Sequence, residues 1–173
     1  SSWGVLDGGA VIGTELVDNR IHAGNSEVGG VSFGIVTRGR TRIARNFVNA
    51  PPNDPPTCAD TVLWCGGIAS YSSAARIENN IVFGALARQS VALHLVELDA
   101  QALGDVHVNA NYLDAFGNAS TDNLAKSAAI ALGSPYAGSP SMPFAVIRNN
   151  ILLGGRNQNQ YGVFEDSVPN QTC

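Results

Sequence analysis

Five times along this chain an asparagine sits in the same apolar frame: an aliphatic residue, two variable positions, Asn, one variable position, and a second aliphatic residue. The frame reads Leu16-Val-Asp-Asn19-Arg-Ile21, Ile43-Ala-Arg-Asn46-Phe-Val48, Ile77-Glu-Asn-Asn80-Ile-Val82, Val108-Asn-Ala-Asn111-Tyr-Leu113 and Ile147-Arg-Asn-Asn150-Ile-Leu152. Recurrence at tens of residues means that one supersecondary unit is copied down the chain. No single copy can bury its own apolar positions. The copies must therefore stack.

A second phrase alternates with the first: a small residue followed by a short apolar run. It is seen at Gly4-Val5-Leu6, Gly30-Val31-Ser-Phe33, Gly67-Ile68, Ser90-Val91-Ala-Leu93, Ala129-Ile130-Ala-Leu132 and Gly162-Val163-Phe164. The asparagine spacings are uneven, at 27, 34, 31 and 39 residues. A constant frame with variable spacing describes coils of one cross-section that carry loops of different length. Helix-pair arrays, which keep their period, fit poorly.

The apolar runs hold three to six residues rich in Val, Ile, Leu and Phe, bounded by Gly and Asn, and this favours short strands over helices. Each unit then carries three strands: the Gly-Val strand, the strand entering the asparagine and the strand leaving it. Stacked at the parallel-sheet spacing of about 4.8 Å, about five such coils share one continuous core. The asparagine would turn the corner, since Asn tolerates left-handed backbone angles. Stacked at one corner, Asn19, Asn46, Asn80, Asn111 and Asn150 could pass amide hydrogen bonds from coil to coil.

The alternating phrases resemble the coils of the right-handed parallel β-helix of the pectin-lyase-like superfamily, from Trp3 to about Asp166. The resemblance implies an all-β solenoid of about five coils with long loops, forming a single domain over residues 1–173. That superfamily hosts lyases, hydrolases, epimerases, tailspikes and adhesins, so the architecture leaves activity open.

Composition narrows the partners. The chain of 173 residues is 45% hydrophobic but only 14% charged, with 14 acidic against 10 basic residues and a net charge of −4. Lys126 is its single lysine. No basic run marks a nucleic-acid partner, and no apolar run approaches the ~20 residues of a membrane span. Ser1 opens no signal peptide. Trp3 begins on a strand without a preceding cap, and the tail Asp-Ser-Val-Pro-Asn-Gln-Thr-Cys173 has no capping helix. Because solenoid ends need caps, the expectation is a section of a longer chain or a subunit whose ends meet other copies.

Cys58 and Cys65 bracket a six-residue segment within the longest loop, after Pro51, Pro52, Pro55 and Pro56, a spacing that a disulfide could close. Two buried thiols are the other reading, and zinc is disfavoured for lack of a second ligand pair. Cys173 is left over. A disulfide would place the protein outside the cytoplasm, extracellular or at the cell surface. Asn118-Ala-Ser and Asn170-Gln-Thr match the glycosylation triplet, a frequent chance match.

Polysaccharide-acting members of the superfamily usually bind substrate along one long sheet. Strand alternation on the Gly-Val strand places Val31 and Phe33, or Val91 and Leu93, inside the coil. The outward column would then be Leu6, Ser32, Ala69, Ala92, Ala131 and Phe164, which is small and neutral. It offers neither the carboxylate pair of a glycosidase nor the base and cation of a lyase. The family's Asn-Thr-Asp, Asp-Asp, Gly-His-Gly and Arg-Ile-Lys motifs are absent. His94, beside that face and near Glu97 and Asp99, is the one candidate catalytic residue. No metal ligands and no cofactor site are expected.

The strand entering the asparagine is more polar. Glu15, Arg42, Arg76 and His107 fall in one outward column, with Glu78, Asn109 and Arg148 in the next. Charges on adjacent coils can compensate one another, or Arg42 and Arg76 can line a groove for an anionic glycan. Trp64 and Tyr136, on long loops, are candidate exposed aromatics for stacking on sugars or a partner. The expected function is that of an extracellular or cell-surface structural and binding solenoid. It would contact adjoining coils or other copies, end to end as in a filament, and take a polysaccharide as a further partner. A polysaccharide lyase or glycoside hydrolase is the alternative.

Overall fold

The computed structural model describes residues 2–7, 13–23, 32–49, 64–71, 74–96, 105–117, 123–133 and 144–166. Its strands follow the chain coil by coil. The first coil holds β1 (Ser2–Asp7), β2 (Thr14–Val17) and β3 (Arg20–His22), and the second β4 (Ser32–Thr37), β5 (Thr41–Ala44) and β6 (Phe47–Asn49). The third is β7 (Cys65–Ser70), β8 (Arg76–Glu78) and β9 (Ile81–Phe83), and the fourth β10 (Gln89–Leu95), β11 (Val106–Asn109) and β12 (Tyr112–Asp114). The fifth is β13 (Lys126–Gly133), β14 (Ala145–Arg148) and β15 (Ile151–Leu153), and β16 (Asn159–Asp166) starts a sixth.

Every strand pairs in parallel with its counterparts one coil away, giving three sheets. Sheet A is β1-β4-β7-β10-β13-β16, sheet B is β2-β5-β8-β11-β14 and sheet C is β3-β6-β9-β12-β15. The chain is a right-handed parallel β-helix of about five coils. Its interior is a set of aliphatic stacks. Ile35, Ile68, Leu93 and Ile130 come from sheet A, Ile43, Ile77 and Val108 from sheet B, and Ile21, Val48, Val82 and Leu113 from sheet C. The two aliphatic positions of the asparagine frame supply the sheet B and sheet C stacks.

The asparagines stack at the corner between sheets B and C. In each step the Oδ1 of the next coil's Asn accepts both the backbone N–H and the side-chain amide of the Asn before it. The distances are 2.9 and 3.0 Å for Asn19 to Asn46, 2.9 and 3.1 Å for Asn46 to Asn80, 2.9 and 2.9 Å for Asn80 to Asn111, and 2.8 and 3.0 Å for Asn111 to Asn150. The second amide hydrogen reaches back one coil, from Asn80 to the Ile43 carbonyl at 2.9 Å and from Asn111 to the Ile77 carbonyl at 2.8 Å. Both donors and the acceptor are thereby satisfied while the side chain is buried, as a buried amide requires.

The bend itself is made differently from the expectation. The left-handed residue is the one before each asparagine: Asp18, Arg45, Asn79, Ala110 and Asn149, with φ between 53° and 60°. Each of these turns its backbone out of the strand, which leaves the asparagine free to point inward and bond along the stack.

Strand alternation fails on sheet A. Phe33 and Val91 lie in an outer apolar cluster with Val36, Trp64, Ala69, Ala128 and Ala131, whereas Ala92 belongs to the interior. Val31 lies outside the described residues. A column of small residues explains the difference: Gly4, Gly34, Gly67, Ala92 and Ala129. The sheet A pairing passes over these positions, as in Phe33↔Gly66 followed by Ile35↔Ile68. Each strand kinks there, so two consecutive residues face the core. A Cβ at Gly34 would stand 2.5 Å from Val48 Cγ1 and 2.9 Å from the Gly67 carbonyl oxygen, which is why the column stays small.

Candidate functional site

The outer face of sheet A is filled over its middle strands, while Leu6 on β1 is exposed. Every residue of β4, β7 and β10 is buried, and Trp64, Tyr71 and Tyr161 pack over the outer column. That column reads Leu6, Val36, Ala69, His94, Ala131 and Phe164 by register. Ser32 and Ala92, expected in it, are displaced by the kink. Trp64, expected as an exposed aromatic, is 2% exposed and meets Phe164 at 5.6 Å. His94 is also buried. Its Nε2 lies 2.8 Å from the Gly133 carbonyl oxygen, and its ring is flanked by Phe33 at 6.3 Å, Trp64 at 6.4 Å and Tyr71 at 6.5 Å. Its surroundings are those of a packed ring. Glu97, Asp99 and Tyr136 lie outside the described residues.

Cys65 is buried at the start of β7, and its sulfur, 3.4 Å from the Ser32 N–H, is committed to a disulfide. Both cysteines that could complete it, Cys58 and Cys173, lie outside the described residues.

Sheet B carries the accessible polar surface. Its strands are short and unkinked, so alternation holds. Register stacks Glu15, Arg42, Arg76 and His107 in one outward column. Ala44, Glu78, Asn109 and Arg148 form the next. Two depressions run along this face, each of about 440 Å³. The first is lined by Glu15, Arg40, Arg42, Arg76, Asp105 and His107, the second by Arg76, Glu78, His107, Asn109, Arg148 and Asn149 among others. They share Arg76 and His107, so the two depressions adjoin at these side chains. Arg40 and Asp105 flank the strands rather than belonging to the repeat, so periodicity could not reveal them.

The charges of this face are unevenly paired. Arg42 lies 3.7 Å from Glu15 and 3.8 Å from Glu78, a cation spanning three coils between two carboxylates. Such partly exposed pairs are weak. Arg76 sits one coil from Arg42 in the same column, and among the described residues neither Arg76 nor Arg148 forms an ion pair. In the second depression, Asn149 Nδ2 donates to Asn109 Oδ1 at 3.1 Å. Among the described residues no three His, Cys, Asp or Glu side chains come together as a metal site, and no helix is long and apolar enough to cross a membrane.

With the geometry established, comparison adds no relative: no protein-family model, no curated protein and no solved structure matches this chain.

Proposed function

We propose that this chain is a structural and binding β-solenoid of the pectin-lyase-like superfamily, displayed outside the cell or at its surface, with the outer face of sheet B as its binding face. The observation that carries the proposal is the polar face over the stacked column Glu15, Arg42, Arg76 and His107, with its two adjoining depressions. A rigid solenoid holds such a column at fixed spacing with little ordering cost on binding, which favours an extended ligand. Self-association end to end through coil faces belongs to the same proposal. The test is a glycan array with purified protein, together with light scattering across concentration. Capture of no glycan and a monomer at every concentration would reject it.

The enzymatic alternative, a polysaccharide lyase or glycoside hydrolase, draws on one observation: Arg76 and His107 are register neighbours, a cation beside an imidazole. A lyase needs a base and a positive charge at the acidified carbon. Unsaturated product from an acidic glycan, abolished by His107→Ala, would replace the binding proposal.

A further inference from the structure

We infer that the outer face of sheet C docks a second copy of this chain, face to face, about a two-fold axis parallel to the strands and midway between the second and third coils. The inference is independent of the binding face on sheet B and of the coil ends.

The three outer faces differ in what covers them. Sheet A carries its own aromatic layer, and sheet B is lined with charge. The first outward column of sheet C reads Arg20, Phe47, Ile81, Tyr112 and Ile151. The second begins at His22 and carries Phe83, Asp114 and Leu153. Phe83 lies 5.7 Å from Phe47 and 5.9 Å from Tyr112, so the rings run unbroken over three coils. Ile81 beside them is 45% exposed, which leaves the run open to water. A contiguous apolar patch of this kind marks a contact surface.

The charges on this face choose the partner. Among its outward residues the one formal cation, Arg20, stands with the His22 imidazole on the first coil, and the one carboxylate, Asp114, stands on the fourth. Both charges are held on the face: the Arg20 guanidinium lies 5.2 Å over the Phe47 ring, and Asp114 Oδ1 accepts the Phe116 N–H at 2.9 Å. Rotation about the stated axis lays each column over itself and reverses the coil order, so coil one meets coil four and coil two meets coil three. His22 then faces Asp114 of the second copy, Arg20 faces Tyr112, and Phe47 faces Ile81, each contact occurring twice by symmetry. Shifting the axis onto the third coil would set Asp114 against Asn49 and His22 against Leu153, with the charges unmatched. A lipid surface would bury Asp114 without a partner, which is costly. Four overlapping strands at about 4.8 Å, with the girth of two side-chain columns, cover roughly 250 Å² per copy. That is well under the ~800 Å² per partner of a stable complex, so the pair parts on dilution.

Sedimentation velocity on the whole chain, from micromolar to millimolar concentration, tests this arrangement. The mass rises from one chain to two and goes no further. Ile81→Gln weakens the dimer about tenfold or more, the worth of an isoleucine removed from an apolar contact. His22→Glu, which sets carboxylate against carboxylate, weakens it too, whereas His22→Lys does not. A merely structural role for His22 would not split the two. Ile151→Gln, on the coil outside the overlap, leaves the dimer intact. Thermal melts establish that each variant is folded. A monomer at every concentration overturns the inference, as does a dimer indifferent to Ile81 or weakened equally by both His22 variants. A dimer sensitive to Ile151 but not to His22 overturns the register. Growth past two chains that ignores these substitutions assigns association to the coil ends and overturns the inference. So does a monomer that binds neutral phosphatidylcholine vesicles and loses them in Ile81→Gln, since the face then takes lipid.

Discussion

Asp18 and Arg45 occupy the same left-handed corner position on adjacent coils, and their side chains meet as a two-point pair: Arg45 Nε donates to Asp18 Oδ1 at 2.7 Å and Nη2 to Oδ2 at 2.6 Å. The hydrogen bond from Arg45 holds the Asp18 carboxyl below its ordinary value of 3.8, and the carboxylate in turn raises Arg45. A carboxyl depressed in the folded state stabilises the fold above its unfolded value, and this contribution is lost as pH falls through the folded value. Both groups are solvent-exposed, so the effect is small. In an NMR titration Asp18 should protonate at a lower pH than free aspartate, and Arg45→Gln should move its midpoint back up.

Asn80 stands at the middle of the asparagine stack, with Oδ1 receiving two donors from Asn46 and Nδ2 serving both Asn111 and the Ile43 carbonyl. Asn80→Ala strands the Asn46 N–H and the Ile43 carbonyl in a buried corner. The expected cost is about 3 kcal/mol in urea unfolding. Asn19→Ala, at the exposed end of the stack, should cost about 1 kcal/mol or less. Equal costs would contradict the ladder as the source of stability.

Ala110 holds φ at 55°, where its counterparts Asp18, Asn79 and Asn149 are residues that tolerate the left-handed region. Ala110→Gly should therefore stabilise the protein by about 1 kcal/mol, reversing the usual penalty of glycine in ordered structure. The Ala110 N–H to Arg148 carbonyl bond, 3.2 Å, needs no side chain and survives the change. A lower unfolding midpoint would argue against the left-handed corner.

Much of this architecture was legible because it rests on periodic, local chemistry. The asparagine frame encodes a bond that must repeat at every coil, and the three- and four-residue strands of sheet B obey simple alternation, so the Glu15, Arg42, Arg76, His107 column could be read directly. Sheet A resisted because alternation has no way to represent a kink at a small residue. Gly34 and Gly67 look like ordinary strand glycines until the approach of Val48 and Val82 is known. The burial of Trp64 and His94 was equally hidden, since it depends on aromatic residues from distant coils meeting on one face. The corner residues were misassigned for a subtler reason: Asn suits both the left-handed angle and the ladder, and only geometry separates the two roles.

The close packing at the sheet A kink makes a graded prediction. A Cβ at Gly67 would overlap a Val82 methyl and stand 2.9 Å from the Ala92 carbonyl oxygen, while one at Gly66 would run into the Val91 backbone carbonyl much more deeply. Both press on a sheet carbonyl, but at Gly67 only marginally. Gly67→Ala should cost about 1–3 kcal/mol, and Gly66→Ala more, with loss of soluble folded protein as the readout. The reverse order would mean that the coil spacing itself yields.

For the disulfide, a non-reducing peptide map should link Cys65 to Cys58. A link to Cys173 instead would tie β7 to the last segment of the chain and overturn the loop-staple expectation.

In the asparagine stack every backbone N–H and one hydrogen of each amide point from lower to higher coil number, from Asn19 toward Asn150. The solenoid is therefore a polar rod with chemically unlike faces. Asn19 Oδ1 lies at the face of the first coil, and the Asn150 N–H lies at the face of the fifth. Two copies related by a two-fold axis would bring acceptor to acceptor or donor to donor at this corner. Copies translated along the rod would bring donor to acceptor. Any in-register stacking of these coils is thus heterologous and directional, a geometry that grows filaments rather than closed dimers.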